Sequence, residues 1–363
     1  MHSGAMEQAR GVTDRLPPPP VGSFASDNAA PVAPAVLDAL TAANAGPALA
    51  YGDDPWTAAA VDAVRDLVGG DAEVLFCWGG TGANVVGLAA MLQPWQAVIC
   101  PESAHIVVDE AGAPVRFTGS SVLALPTEDG KLRPEQLDPH LHWLGEVHHP
   151  QPAVVSISQA TEMGTVYSLD ETAALAEAAH RHGLRLHVDG ARLANAVAAL
   201  GTDLATAVRD SGVDVMTFGF TKNGAMYGEA VVVLDPDAAP AVGFVRKQAG
   251  QLPSKARYVA AQVSALLDGD RWLDHARHAN AAARLLAERA AAVPGVEIDR
   301  TPEVNAVFAR LPADAIEPLR AWSFFWPWDP ERRLVRWMTS FATTDSDVDR
   351  FVAGLEAIVA PRA

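Results

Sequence analysis

The stretch His187-Val188-Asp189-Gly190-Ala191-Arg192 closes an apolar run on an acid, turns on a glycine and then presents an arginine. The run 185–189 has the length and apolar character of a strand buried on both faces, as in parallel sheets. Such a strand delivers its last residue to a sheet edge, where open α/β sheets bind their ligands, and here that residue is a carboxylate. A second apolar run, 213–218, leads into Thr221-Lys222-Asn223-Gly224 and brings a lysine to the same kind of edge.

Outward from these two runs the chain alternates. Residues 58–68 have a helical period and stop at Gly69-Gly70, a C-cap signal. Residues 74–78 read as a strand, Gly79-Gly80-Thr81-Gly82-Ala83-Asn84 as a glycine-rich turn, and 85–92 as a helix starting from it. Further strands are expected at 97–100, 122–125, 153–157 and 229–234, with a helix over 169–183 capped by Asp170. This alternation predicts an α/β fold with a mostly parallel sheet flanked by helices. Past Pro240 the character changes to long helices at 259–267 and 272–292, short strands at 296–298 and 304–311, and an aromatic cluster at 322–328 before 332–341. The expected organisation is a flexible tail over 1–20, a large domain over 21–245 and a smaller C-terminal α+β domain over 246–363. No internal repeat is apparent.

Bulk properties narrow the function. The 363 residues suffice for two domains, and 49% of them are hydrophobic, as in a well-packed globular protein. A formal net charge of −17 argues against nucleic acid or an anionic membrane as partner. It does not prevent binding of a small anion, which local dipoles and a few cations decide. Two cysteines, Cys77 and Cys100, make no disulfide framework and lack metal-ligand spacing, so a reducing compartment and no metal are expected. Residues 1–15 lack the apolar core of a signal peptide, and no run approaches the roughly 20 apolar residues of a membrane helix, so a soluble cytoplasmic protein is expected.

An acid and a lysine at strand ends can together hold pyridoxal phosphate. The lysine forms a Schiff base with the aldehyde, and the aspartate keeps the pyridine nitrogen protonated so that the ring withdraws electrons. Singly, neither residue is specific, because an Asp-Gly after a strand is often only a turn. The turn at Gly79, Gly80 and Thr81 opens a helix whose N-terminal N–H groups suit a phosphate, although an ordinary strand-to-helix turn would look the same. It is no Walker loop, lacking Gly-Lys-Ser/Thr. His105 follows the strand at 97–100, where its ring can stack on a planar cofactor and exchange protons near neutral pH. His148-His149 is a poor metal pair, because adjacent side chains diverge, but one of the two is placed to face the cleft by the strand at 153–157. His140 and His142 read as surface residues, and Asp53, Asp54 and Glu102 as turn or capping groups. Arg336 sits inside the apolar run 334–338, where a buried guanidinium needs an anion. A substrate carboxylate gripped bidentately and a structural salt bridge both satisfy it.

The ordered set Ser26-Asp27-Asn28, Tyr51-Gly52-Asp53-Asp54-Pro55, Gly80-Thr81-Gly82-Ala83-Asn84, Ala104-His105, the stretch 187–192, Thr221-Lys222-Asn223-Gly224 and Arg336 resembles low-specificity L-threonine aldolases. These belong to the β-eliminating lyase-like group of fold type I (PLP-dependent transferase-like) enzymes. Residues 159–167 and the Thr-Lys-Asn-Gly form resemble a bacterial branch that includes phenylserine-active aldolases. The resemblance implies pyridoxal 5'-phosphate as cofactor, with Lys222 as the Schiff-base lysine, Asp189 on the pyridine nitrogen, Gly80 and Thr81 on the phosphate, and His105 against the ring. It implies Arg192, Arg336 and Ser26 on the substrate carboxylate, His148 near a histidine that faces the substrate hydroxyl, and Lys255 reaching the phosphate of a neighbouring subunit. The implied reaction is retro-aldol cleavage of L-threonine, L-allo-threonine or phenylserine to glycine and an aldehyde, with His105, His148 or an ordered water as hydroxyl base. A homo-oligomer, dimer or tetramer, with shared active sites is implied as well. Two departures stand out: Thr221-Lys222-Asn223 replaces the common Ser-Lys-Gly, and Ser158-Gln159-Ala160-Thr161 replaces Glu-Asn-Thr-His. Other reactions on the same scaffold, β-elimination or transamination, and a non-catalytic binding protein compete with this reading. An NAD enzyme lacks its Gly-x-Gly-x-x-Gly turn here.

Overall fold

The computed structural model describes residues 16–359. They form two compact units. One is Val32–Asp274; the other joins the segment ending at Pro31 to the chain from His275 onward.

The larger unit is built on a seven-stranded sheet of β1 (Glu73–Cys77), β2 (Gln96–Pro101), β3 (Ser121–Leu125), β4 (Gln151–Ser158), β5 (Arg185–Gly190), β6 (Val215–Gly219) and β7 (Glu229–Val233), in the order β1-β7-β6-β5-β4-β2-β3. Strand β7 runs antiparallel to β1 and β6, and every other neighbouring pair is parallel. Strands β6 and β7 are buried at every residue, which explains their unbroken apolar character.

Local chemistry sets the helix boundaries. Helices α1 (Pro34–Ala43) and α2 (Pro55–Leu67) both start on proline, and Asp54 caps α2 by accepting the Thr57 N–H at 2.8 Å. Helix α3 (Gly80–Met91) begins inside the glycine turn, five residues before the expected 85. Helix α4 (Leu169–His180) is capped by Ser168, not by Asp170. The Ser168 Oγ accepts the Glu171 N–H at 3.1 Å, and Glu171 Oε2 accepts the Ser168 N–H at 2.8 Å. Helix α5 (Leu193–Leu200) follows β5 directly. Helix α6 (Arg257–Leu267) buries Val259, Ala260, Val263 and Leu266 and packs on α1 and α2. It therefore belongs to the larger unit, which ends at Asp274 and not at the expected 245.

The smaller unit carries an antiparallel sheet of β8 (Glu297–Ile298), β9 (Ala306–Arg310), β10 (Trp326–Asp329) and β11 (Leu334–Met338), in the order β10-β11-β9-β8. Helix α7 (Arg271–Ala291), over its later turns, and α8 (Asp345–Val359) share its core with Trp337, Phe325 and Phe24. The expectation that the N-terminal segment joins the large domain is corrected here. Phe24 lies 4.6 Å from the Phe351 ring, its carbonyl accepts the Met338 N–H at 2.8 Å, and the Val21 and Gly22 N–H groups donate to Asp347 Oδ1 at 3.0 and 2.8 Å. Of the expected tail, residues 1–15 lie outside the described residues, while the Pro17 carbonyl accepts the Trp322 indole N–H at 2.8 Å. Phe325 in the aromatic cluster is core; Phe324 and Trp326 are exposed. No described helix is long and apolar enough to cross a membrane.

Candidate active site

The register aligns the C-terminal ends of three strands: Ser158 of β4 pairs with Asp189 of β5, and Asp189 with Thr217 of β6. Gly190 is required at this edge, because a Cβ there would lie 2.1 Å from the Thr217 carbonyl oxygen. Its N–H donates instead to Thr217 Oγ1 at 3.0 Å. From β2 the chain leads through Ala104 into the single helical turn His105–Val108. From β6 it leads into the 3₁₀ turn Thr221–Asn223, closed by Gly224 at a φ of 112° and anchored by Asn223 Nδ2 donating to the Trp272 carbonyl at 2.8 Å. From β1 it leads into α3.

Asp189 is buried and fixed on both oxygens. Oδ1 accepts the Ala191 N–H at 3.0 Å and Oδ2 accepts Asn84 Nδ2 at 2.8 Å. Burial opposes its charge, but the Asn84 hydrogen bond, the Lys222 charge, the Ala191 N–H and His187 together hold the carboxyl below the usual range. His187 itself is pushed down to about 4 by burial, and its Nδ1 lies 2.9 Å from Ser156 Oγ. Lys222 is half-buried, and among the described residues no group hydrogen-bonds or ion-pairs with its amine. Below it, Glu229 starts β7 and accepts the Phe220 N–H at 2.8 Å. Burial pushes this carboxyl up to about 7, against the opposing hydrogen bonds of Thr221 and Phe220.

Helix α3 begins without a side-chain cap, and a Cβ on Gly79 or Gly80 would meet nothing within 4 Å. One on Gly82 would fall 2.3 Å from the Gln251 side chain, whose Oε1 accepts the Trp78 N–H at 3.0 Å. Gln251 therefore covers one side of the turn and leaves the Gly79–Gly80 side open, with the positive end of a helix behind it. Arg192 is buried just after β5 at the start of α5.

His148 is not part of this grouping. It is exposed and precedes β4, whose start lies at the opposite sheet edge because β4 runs parallel to β5. Eight strand residues at about 3.3 Å each put roughly 25 Å between that start and Ser158. Its neighbour His149 stacks on Trp143 at 3.8 Å. Lys255 is exposed in the larger unit, next to Ser254, whose carbonyl accepts the Tyr51 N–H at 2.8 Å. Ser26 and Arg336 belong to the smaller unit. Ser26 Oγ accepts the Asn28 N–H at 3.2 Å, and the Arg336 guanidinium lies over the Trp328 ring at 4.5 Å.

Three groups at this edge were not singled out by the sequence. Asn84 lay in the glycine turn without a role, Glu110 had no signal beyond standing five residues after His105, and Glu229 read as the start of a strand. The loop that departs from Glu-Asn-Thr-His is tied within itself and to its surroundings, with the Gln159 N–H donating to the Asp189 carbonyl at 2.9 Å and Thr165 Oγ1 to the Asp129 carbonyl at 2.7 Å. Gln159 pairs with the Tyr167 backbone at 2.9 and 3.0 Å, and Thr161 with Thr165 at 2.7 Å, while the Glu162 charge acts on His105. Among the described residues no group of three His, Cys, Asp or Glu could hold a metal.

A buried ionised acid, an amine without a partner and an open helix end together suit a cofactor with a basic ring nitrogen, an aldehyde and a phosphate. Residues 23–314 match the family model described as beta-eliminating lyase. The chain belongs to the β-eliminating lyase family. A low specificity L-threonine aldolase from Pseudomonas aeruginosa is 47% identical over 305 residues, 83% of this chain and 88% of that one. Another from a Pseudomonas species is 41% identical over 339 residues, 93% and 97% of the two chains. The threonine aldolase structure from Leishmania major superposes with a TM-score of 0.86 at 31% identity, covering 93% of this chain and 99% of that one. As a member of the β-eliminating lyase family the protein has the fold type I architecture, is a carbon–carbon lyase and uses pyridoxal phosphate.

Proposed function

We propose that the protein cleaves the Cα–Cβ bond of L-threonine, L-allo-threonine and related L-β-hydroxy-α-amino acids such as phenylserine, giving glycine and an aldehyde. The observation that carries this reading is the buried Asp189 carboxylate at the same sheet edge as the Lys222 amine, which has no hydrogen bond or ion pair among the described residues, and the open start of α3. Lys222 would hold the cofactor's aldehyde carbon, Asp189 its ring nitrogen, Gly79, Gly80 and Thr81 its phosphate, and His105 would lie against the ring. When bound, pyridoxal phosphate supplies the electron sink that accepts the pair released by the breaking bond. Arg192 would fix the substrate carboxylate within this unit; the same role for Ser26 and Arg336 rests on the sequence. Of the groups expected to take the hydroxyl proton, His105, His148 or an ordered water, the position of His105 after β2 at this edge supports His105 within one subunit.

The same reading includes a cytoplasmic dimer or tetramer in which Lys255 serves a neighbouring subunit's phosphate. The exposure of Lys255, whose side-chain amine has no hydrogen bond or ion pair among the described residues, is its support. Incubating the protein and pyridoxal phosphate with L-threonine and with L-phenylserine, then assaying glycine and aldehyde, tests the reaction. Pyruvate and ammonia in their place would establish β-elimination and end the aldolase reading.

A further inference from the structure

His105 and Asp189 are joined by two side chains. The Asn84 amide nitrogen donates to Asp189 Oδ2 and to Glu110 Oε1, each at 2.8 Å, and Glu110 Oε1 lies 2.9 Å from His105 Nδ1. The amide has two N–H hydrogens, and both are used on carboxyl groups, so its orientation is fixed: the reverse would point its oxygen at two acids. Glu110 is enclosed, with its side chain fully removed from solvent, whereas the His105 side chain is 29% exposed. One proton lies between Nδ1 and Oε1, so Nδ1 is engaged, and Nε2 and the ring face are the parts of His105 left to act.

We propose that Glu110 and Asn84 are positioning residues for the aldolase reaction: Glu110 fixes the tautomer and basicity of His105, and Asn84 ties that pair to Asp189. This rests on the assignment of His105 and Asp189 under the proposed function. Three observations combine. The chain of contacts is continuous and each link is short. Both linking residues are buried, and their contacts run through the Asn84 amide nitrogen and Glu110 Oε1, while Asn84 Oδ1 and Glu110 Oε2 have no hydrogen-bond partner among the described residues. The residues come from α3, from the segment after β2 and from β5, so no local turn or cap requires them. A carboxyl on one imidazole nitrogen is the usual device for orienting the other nitrogen and raising its basicity. In agreement, the Glu110 hydrogen bond raises the His105 pKa above the ordinary histidine value against burial. The other charges facing the ring are Glu162 after β4 and Asp189 on β5, which raise it further, and Lys222 after β6, which lowers it.

Glu110→Gln keeps the shape and removes the charge. In the holoenzyme the limb of the kcat/KM profile set by His105 is expected to move to lower pH by about one pH unit, with kcat falling more than KM rises. Glu110→Asp should recover part of the loss. In a His105→Asn background Glu110→Gln should add nothing. Asn84→Ala should leave the His105 limb in place but weaken pyridoxal phosphate binding by roughly tenfold, measured by titrating the apoenzyme. The pH titration of the cofactor's visible absorption, recorded without substrate, should shift in Asn84→Ala. An unmoved limb in Glu110→Gln, equal losses in both His105 backgrounds, or wild-type cofactor affinity and spectrum in Asn84→Ala would each overturn the proposal. If Glu110→Gln does not fold, the limb of Glu110→Asp and the Asn84→Ala titration decide. Absence of glycine release by the wild type would instead defeat the aldolase reading, and the substrate-free titrations would still judge the Asn84 link.

Discussion

Asp214 and Asp189 are buried acids at opposite edges of one sheet, and they are treated differently. Asp214, just before β6, touches a histidine and an arginine side chain, His180 Nε2 at 2.7 Å and Arg185 Nη1 at 3.4 Å, with the Leu186 N–H donating at 2.6 Å. Asp189 touches an amide and a backbone N–H; the Lys222 charge reaches it only through space. At the first edge the charges complete each other, the arrangement of a structural ion pair. At the second a buried negative charge and an amine that no described group hydrogen-bonds act on each other only through space, which costs stability unless a ligand completes them.

The sharpest test exchanges the two acids' expected phenotypes. Lys222→Ala should abolish glycine release and the visible absorption of bound cofactor together. Asp189→Asn should lower turnover by roughly a hundredfold or more, because the group that stabilises charge in the reacting ring is lost. Asp214→Asn should leave turnover within a factor of about two and lower unfolding free energy by about 2 kcal/mol, read from urea denaturation. If Asp214→Asn cost as much turnover as Asp189→Asn, the distinction between the edges would be wrong.

Glu229 sharpens the comparison through pH. Its folded pKa of about 7 lies above the ordinary glutamate value, so the folded state binds a proton that the unfolded chain releases. The stability this contributes is fully present below about pH 4.3 and is lost as pH rises through 7, by up to about 3 kcal/mol for a group this enclosed. Glu229→Gln should remove that slope. Apoprotein urea midpoints at pH 5 and pH 8 should differ less in the variant than in the wild type. Equal differences would mean that Glu229 is ionised in the fold across this range.

Much of this was readable from the chain. The strand ending at Asp189, the turn at Lys222 and the alternation around them announce the sheet, because burial on both faces leaves a continuous apolar signature. What stayed hidden depends on distant pairings. Asn84 meets an acid 105 positions away, and nothing local to Glu110 reports that its carboxyl turns toward His105 and Asn84. The misplaced His148 came from strand direction: in a parallel sheet the residues before a strand stand at the edge away from those after it. The domain boundary failed similarly. The period of α6 says that one face is buried, but not that α1 and α2 cover it.

The smallest expected effect concerns Arg185, which completes the structural edge by reaching Asp214 at 3.4 Å and Asp235 at 2.5 Å. Its side chain is 35% exposed, as is that of Asp235, so water and salt screen much of the attraction. His180 and the Leu186 N–H still hold Asp214 when Arg185 is removed. Arg185→Ala should therefore cost about 1 kcal/mol at low salt and less at high salt, with turnover unchanged. A loss several times larger, insensitive to salt, would mean that Asp214 depends on Arg185 for its burial. The structural edge would then carry an acid nearly as exposed to the loss of one partner as Asp189 is at the other edge.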